Sequence, residues 1–207
     1  MHKSDINYLL YLVTDRGLLG GKELVKTVEQ AIQGGVTLVQ LREKDLSSLE
    51  FFQTALEVKA VTEKYNVPLI INDRADIALA VDAAGLHIGQ DDLPLTAARK
   101  LLGPDKIIGV STATLEEALL AQNQGADYLG VGAIFPTNTK GDADSVSLAD
   151  LKAIKAQVHI PVVAIGGING SNLQAVMATG VDGAAVVSAI VAAEDPKAAS
   201  VKLRAIK

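Results

Sequence analysis

Thr37-Leu38-Val39-Gln40-Leu41-Arg42-Glu43-Lys44 runs from apolar and β-branched residues straight into charge. The same change occurs at Leu69-Ile70-Ile71-Asn72-Asp73-Arg74 and at Leu86-His87-Ile88-Gly89-Gln90-Asp91-Asp92. Strands buried on both faces read as continuous apolar runs, the mark of a parallel sheet, and in such a sheet all the C-terminal strand ends share one rim. Neighbouring strands that each release polar residues at that end predict a single site assembled from several strands.

Working outward, apolar runs rich in β-branched residues recur at 8–13, 37–41, 68–71, 85–88, 107–110, 128–131, 161–165 and 183–187, which makes about eight strands. Helix-period segments lie between them at 22–33, 49–64, 115–124, 148–156 and 172–179, with shorter ones after Arg74 and Pro94 and a last one after Pro196. Strand alternating with helix throughout 207 residues predicts an α/β chain closed into a (β/α)8 TIM barrel, one domain over residues 1–207. Gln33-Gly34-Gly35-Val36, Ala83-Ala84-Gly85-Leu86, Gln124-Gly125-Ala126-Asp127 and Thr179-Gly180-Val181-Asp182 each put glycine where a helix must stop and turn into the next strand. Residues 132–147 are the exception to short connections and read as a lid over the site.

Composition narrows the function. The chain has no cysteine, which removes thiol nucleophiles, disulfides and thiolate metal sites. A net charge of −5 without a basic block argues against nucleic acid as a partner. No apolar run approaches the ~20 residues that span a bilayer, and the start carries no leader pattern, so a cytoplasmic protein without membrane association is expected. Monomer and homo-oligomer are both compatible with the sequence. The ligand is expected to be a small anion held by locally placed cations, a metal or backbone amides.

The rim residues supply these. Asp73 and Asp92, beyond the third and fourth strands, place two carboxylates where one hard cation fits, and Mg2+ suits such a pair because it takes oxygen ligands and keeps waters and substrate phosphates. Helix capping and turn formation are the competing roles for these aspartates. Arg42 and Lys44, two apart, point into the same mouth with Gln40, whereas Glu43 points away toward a neighbouring cation; a solvated charge cluster is the alternative. Thr137, Thr139 and Lys140 in the long loop are suited to anions. Ala164-Ile165-Gly166-Gly167-Ile168-Asn169-Gly170 and Val186-Val187-Ser188-Ala189 close the seventh and eighth strands, the usual phosphate site of this architecture. Ser111 lies between the two anion sites. His87, inside a strand, reads as a satisfied core histidine, and His2 and His159 form no triad or metal set.

Val13-Thr14-Asp15-Arg16, Gln40-Leu41-Arg42-Glu43-Lys44, Ile71-Asn72-Asp73-Arg74, His87-Ile88-Gly89-Gln90 with Asp92, Gly109-Val110-Ser111, Thr137-Asn138-Thr139-Lys140 and Ile165-Gly166-Gly167-Ile168 together resemble, in order and spacing, the thiamine-phosphate synthase family. The resemblance implies a transferase of thiamine biosynthesis. Such an enzyme joins 4-amino-2-methyl-5-(diphosphooxymethyl)pyrimidine to a thiazole phosphate, or its carboxylated form, releasing pyrophosphate. It implies Gln40, Arg42, Lys44, Asn72, Ser111 and Lys140 on the pyrimidine pyrophosphate, with Arg42, Lys44, Lys140 and Ser111 as the catalytic set. It also implies Asp73 and Asp92 on Mg2+, Thr137 and Thr139 on the thiazole phosphate, and Gly167, Val187 and Ser188 around its phosphate. The chain departs from the family pattern at Ala113, often His, and at Ala133, often Pro. Competing readings are a thiazole tautomerase or regulatory relative, an aldolase using Lys44 or Lys140 as a Schiff-base lysine, and a phosphate-ligand sensor.

Overall fold

The computed structural model describes residues 3–137 and 145–206. Its strands are β1 (Leu10–Val13), β2 (Leu38–Leu41), β3 (Leu69–Asn72), β4 (Gly85–Ile88), β5 (Ile107–Thr112), β6 (Tyr128–Val131), β7 (Val162–Ile165) and β8 (Gly183–Val186). They pair in sequence order, all parallel, and β8 returns to β1 to close the barrel. The expected (β/α)8 barrel is the observed fold.

Strand parity divides the core in two. Leu10, Leu12, Val39, Leu41, Ile71, Leu86 and Ile108 face the helices and join one large cluster with them. Tyr11, Val13, Leu38, Ile70, Tyr128, Val163 and Ala185 face the barrel interior and form a second, smaller cluster. Because side chains alternate along a strand, Gln40, Arg42 and Lys44 follow Leu38 on the inner side and climb toward the C-terminal rim.

The helices are α1 (Leu24–Gln33), α2 (Ser48–Lys64), α3 (Ala75–Ala80), α4 (Leu95–Leu102), α5 (Leu115–Asn123), α6 (Leu148–Gln157), α7 (Leu173–Met177), α8 (Ser188–Val191) and α9 (Pro196–Arg204). Side-chain caps start several of them. Ser47 and Glu50 form a capping box at α2, Thr114 accepts from the Glu117 N–H at α5, Ser147 from Asp150 at α6, and Asp195 from Ala198 at α9, where Pro196 opens the first turn.

Some local expectations change. Gly85 is not a turn glycine: it opens β4, and a Cβ there would stand 2.2 Å from the Ile107 carbonyl oxygen, so its role is close strand approach. The left-handed residue after α3 is Asp82, at φ 50°. Ser111 lies inside β5, which extends to Thr112, and β8 ends at Val186, so Val187 caps α8 and Ser188 opens it. The short α8 has no apolar period long enough to be read from sequence.

The interior also explains Gly109. A Cβ on this β5 residue would fall 2.1 Å from Cζ of Tyr128, a ring with no exposed surface. Gly109→Ala is expected to cost about 2 kcal/mol through overpacking, read as a lowered urea midpoint with unchanged slope.

Candidate active site

One cavity opens at the C-terminal rim, where the strand parity described above delivers its side chains. Gln40, Arg42 and Lys44 line it from β2 and its loop, Asn72 and Asp73 from β3, Asp92 from beyond β4, and Ser111 from β5. Thr137 comes from the β6–α6 connection, and Gly167, Val187 and Ser188 from beyond β7 and β8. These candidates therefore meet in one place. Thr139 and Lys140 lie outside the described residues.

Charge is concentrated on the β2–β4 side. Lys44 Nζ sits 2.5 Å from Asp73 Oδ2. Burial pushes the Asp73 carboxyl above its ordinary range; Lys44 opposes this, and the neighbouring Asp92 adds to it. Asp73 takes a left-handed backbone, φ 61°, with its N–H donating to the His87 carbonyl. Asp92 accepts from the Gly89 N–H at 2.7 Å. Both aspartates are thus held by backbone contacts on adjacent strand ends. Among the described residues no group of three or more His, Cys, Asp or Glu side chains could hold a metal. The donor set is this carboxylate pair, and two carboxylates with room for water and phosphate oxygens match what Mg2+ accepts.

Arg42 is anchored twice near its backbone and side chain: its N–H donates to Thr14 Oγ1 at 3.0 Å, and its guanidinium lies 3.4 Å from Asp15. Glu43 turns away, as expected from parity, and pairs with Arg16 at 2.8 Å.

The opposite wall is backbone. Gly166 and Gly167 have φ 102° and 61°, and added Cβ atoms would stand 2.6 Å from Ala133 Cα and 2.7 Å from the Pro136 carbonyl oxygen. Their lack of side chains lets the start of the long β6–α6 connection lie directly on the β7 loop. Phe135 N–H donates to the Gly166 carbonyl, while Asn169 and Asn172 amides donate to that of Gly167. Beside it, at the end of the neighbouring strand β8, Val187 and Ser188 begin α8, and the first N–H groups of a helix have no partner within it.

The cavity floor is polar, and its tyrosines are the residues that sequence reading overlooked. Gln40 Nε2 donates to the Tyr11 hydroxyl, which meets the Tyr128 hydroxyl, which meets His87 Nδ1; His87 Nε2 then meets Ser111 Oγ. Gln40 is therefore buried beneath the rim it was expected to reach. His87 is satisfied at both ring nitrogens, as expected of a core histidine, and it also faces the cavity. The available signal was parity: Tyr11 is in step with Val13, and Tyr128 with Gly130, on the inner side.

The model of the thiamine monophosphate synthase family matches residues 10–190. The chain belongs to that family. A thiamine-phosphate synthase of Clostridium tetani is 59% identical over 203 residues, covering 98% of this chain and 97% of its own length. That of Clostridium acetobutylicum is 60% identical over 193 residues, covering 93% and 92%. The solved thiamine phosphate pyrophosphorylase of Pyrococcus furiosus superposes with a TM-score of 0.91 at 44% identity, covering 97% of this chain and 96% of its own. The matched span runs from β1 into α8 and so includes every described candidate site residue.

Proposed function

We propose that the cavity joins a pyrimidine carrying a diphosphooxymethyl group to a thiazole phosphate, yielding thiamine phosphate and pyrophosphate. The observation that carries this reading is that one cavity has a wall of charged side chains and a facing wall of glycine backbone, in a chain 59% identical to a thiamine-phosphate synthase. The carboxylate pair and cations of β2–β4 suit a diphosphate with its metal; the glycines of β7 and the start of α8 suit a phosphate monoester. The strand order closes β8 on β1, which supports one barrel domain over residues 1–207.

Asp73 and Asp92 would hold Mg2+, which when bound supplies positive charge to the diphosphate oxygens. Arg42 and Lys44 bind the same oxygens and neutralise charge as the C–O bond breaks and its electron pair leaves with pyrophosphate. Lys140 belongs to this set in the proposal. The methylene cation left on the pyrimidine is stabilised by the ring amino group, and the thiazole nitrogen donates its lone pair to form the new C–N bond. No protein nucleophile takes part. Asn72 and Ser111 complete the diphosphate contacts, with Gln40 beneath them. Thr137, Thr139, Gly167, Val187 and Ser188 hold the thiazole phosphate in line with the opening face. Small-molecule substrates within a chain in which no described helix is long and apolar enough to cross a membrane support a cytoplasmic location.

Gly167→Ala tests the backbone wall. A side chain at φ 61° costs about 1–2 kcal/mol and meets Pro136, so KM for the thiazole phosphate is expected to rise about tenfold with that for the pyrimidine diphosphate unchanged in steady-state kinetics.

The reading as a whole is tested by incubating the protein with Mg2+ and both substrates, or with each one omitted, and identifying the product by chromatography. Thiamine phosphate appearing only in the complete mixture is expected. Isomerisation of the thiazole alone, with no coupled product, would overturn the synthase reading in favour of a tautomerase.

A further inference from the structure

The hydrogen-bond chain on the cavity floor has a direction, and that direction decides what Ser111 can offer a ligand. Its links are 2.8 Å from Gln40 Nε2 to the Tyr11 hydroxyl, 2.8 Å from Tyr11 to Tyr128, 2.8 Å from Tyr128 to His87 Nδ1, and 2.9 Å from His87 Nε2 to Ser111 Oγ. Each phenol carries one proton, and burial pushes both well above the usual tyrosine range, so both stay protonated at neutral pH. A hydroxyl oxygen can accept twice but has one proton to give. Gln40 donates an N–H to the Tyr11 oxygen, and among the described residues the Tyr11 hydroxyl meets one other polar partner, Tyr128. A buried Tyr11 proton is therefore satisfied only by going on to Tyr128, and the Tyr128 proton then goes on to His87 Nδ1. A neutral imidazole that accepts at Nδ1 carries its own proton on Nε2. That N–H is directed at Ser111 Oγ, which leaves the serine proton free to turn into the cavity. In the opposite sense, Ser111 would donate to His87 and face an anion with lone pairs alone.

The barrel is shaped to hold this chain. Interiors of such barrels are filled mainly by branched aliphatic residues, but here two phenols with 1% and 0% exposure occupy the interior. Gly109 leaves room for the Tyr128 ring, and a Cβ on Gly130 would stand 3.1 Å from His87 Cε1. The Gln90 side-chain amide holds the Ser111 carbonyl at 2.6 Å. Every polar atom named in the chain has its partner within the barrel.

We propose that Tyr11, Tyr128 and His87 are positioning residues that fix the imidazole in its Nε2–H form and so make the Ser111 hydroxyl a hydrogen-bond donor to the anionic oxygens of the diphosphate substrate. The substrate half of this proposal rests on the function proposed above; the tautomer half does not.

The tautomer is read in the ligand-free protein labelled with 15N-histidine. The chain has three histidines, and the signals lost in His87→Gln belong to His87. A protonated Nε2 and a bare Nδ1 are expected. Protonation at Nδ1, or an equal mixture of the two forms, overturns the proposal, whether or not the protein turns over any substrate.

Tyr128→Phe removes the donor to Nδ1. It is expected to convert His87 to a mixture of tautomers and to lower kcat/KM for the pyrimidine diphosphate about tenfold, with KM for the thiazole phosphate unchanged. In a Ser111→Ala background the same substitution should add little, because its effect passes through Ser111. His87→Gln, whose amide N–H replaces Nε2–H, should retain most of the activity that His87→Ala loses. An unchanged tautomer in Tyr128→Phe, or fully additive losses in the double variant, overturns the relay; should Tyr128→Phe fail to fold, the wild-type spectrum decides the matter alone.

Discussion

Asp73→Asn is expected to lower turnover to about a thousandth of wild type, a loss of several kcal/mol of transition-state stabilisation, while leaving the fold intact. Asparagine is nearly isosteric and tolerates the left-handed backbone that this position adopts at φ 61°. What it removes is one of the two charges proposed to hold Mg2+. The stability consequence has the opposite sign. The folded protein raises the Asp73 pKa above its unfolded value, chiefly through burial. The neutral carboxyl is therefore the form the fold prefers, and the stability linked to it is lost as pH rises through the raised value. At neutral pH the ionised group is a cost that asparagine removes, so the variant should melt at or above the wild-type temperature without Mg2+. Added Mg2+ should raise the melting temperature of wild type, by mass action on the folded state, and not that of the variant. Calorimetry with and without Mg2+, beside steady-state kinetics, checks both; near-normal turnover in Asp73→Asn would remove Asp73 from the metal site.

Arg42→Ala is expected to reduce kcat about a hundredfold, as for the loss of one preorganised donor aimed at developing charge. Arg42 has the position for this role: it lines the cavity on the same strand face as Gln40 and Lys44, and Thr14 and Asp15 hold its backbone and guanidinium. A planar guanidinium binds two phosphate oxygens at once, which an ammonium does not, so Arg42→Lys should recover only part of the loss. Lys140→Ala is expected to fall by a similar factor. Turnover close to wild type in both alanine variants would contradict the account of charge neutralisation, and a loss confined to KM for the thiazole phosphate would place Arg42 on the wrong wall.

The barrel itself was legible in the chain. Strands buried on both faces have no polar side to interrupt them, so runs such as Leu38 to Leu41 stand out from the amphipathic helices between them. The rim was legible for a related reason: the apolar run ends where burial ends, and the charged residues that follow keep the inward or outward parity of the strand. This is why Arg42 and Lys44 enter the cavity and Glu43 turns to Arg16.

The floor was much harder to read. Tyrosine has high strand propensity, so Tyr11 and Tyr128 look like ordinary core, and nothing in the linear pattern says that their hydroxyls meet. That contact joins residues 117 positions apart and depends on the barrel closing. The glycine at 85 misled for a similar reason, since its constraint is the carbonyl of Ile107 on the next strand, not a local turn. Short α8 escaped because a single turn carries no periodicity, although the residues that flank it, Val187 and Ser188, were already candidates for the phosphate wall.

The most direct test follows both products in one mixture, with the protein in excess over the pyrimidine diphosphate and the thiazole phosphate present, once with Mg2+ and once with EDTA. The account predicts pyrophosphate and thiamine phosphate appearing together in equal amounts with Mg2+, and neither in EDTA. Pyrophosphate release undiminished by EDTA, or thiamine phosphate formed without an equal amount of pyrophosphate, would contradict it.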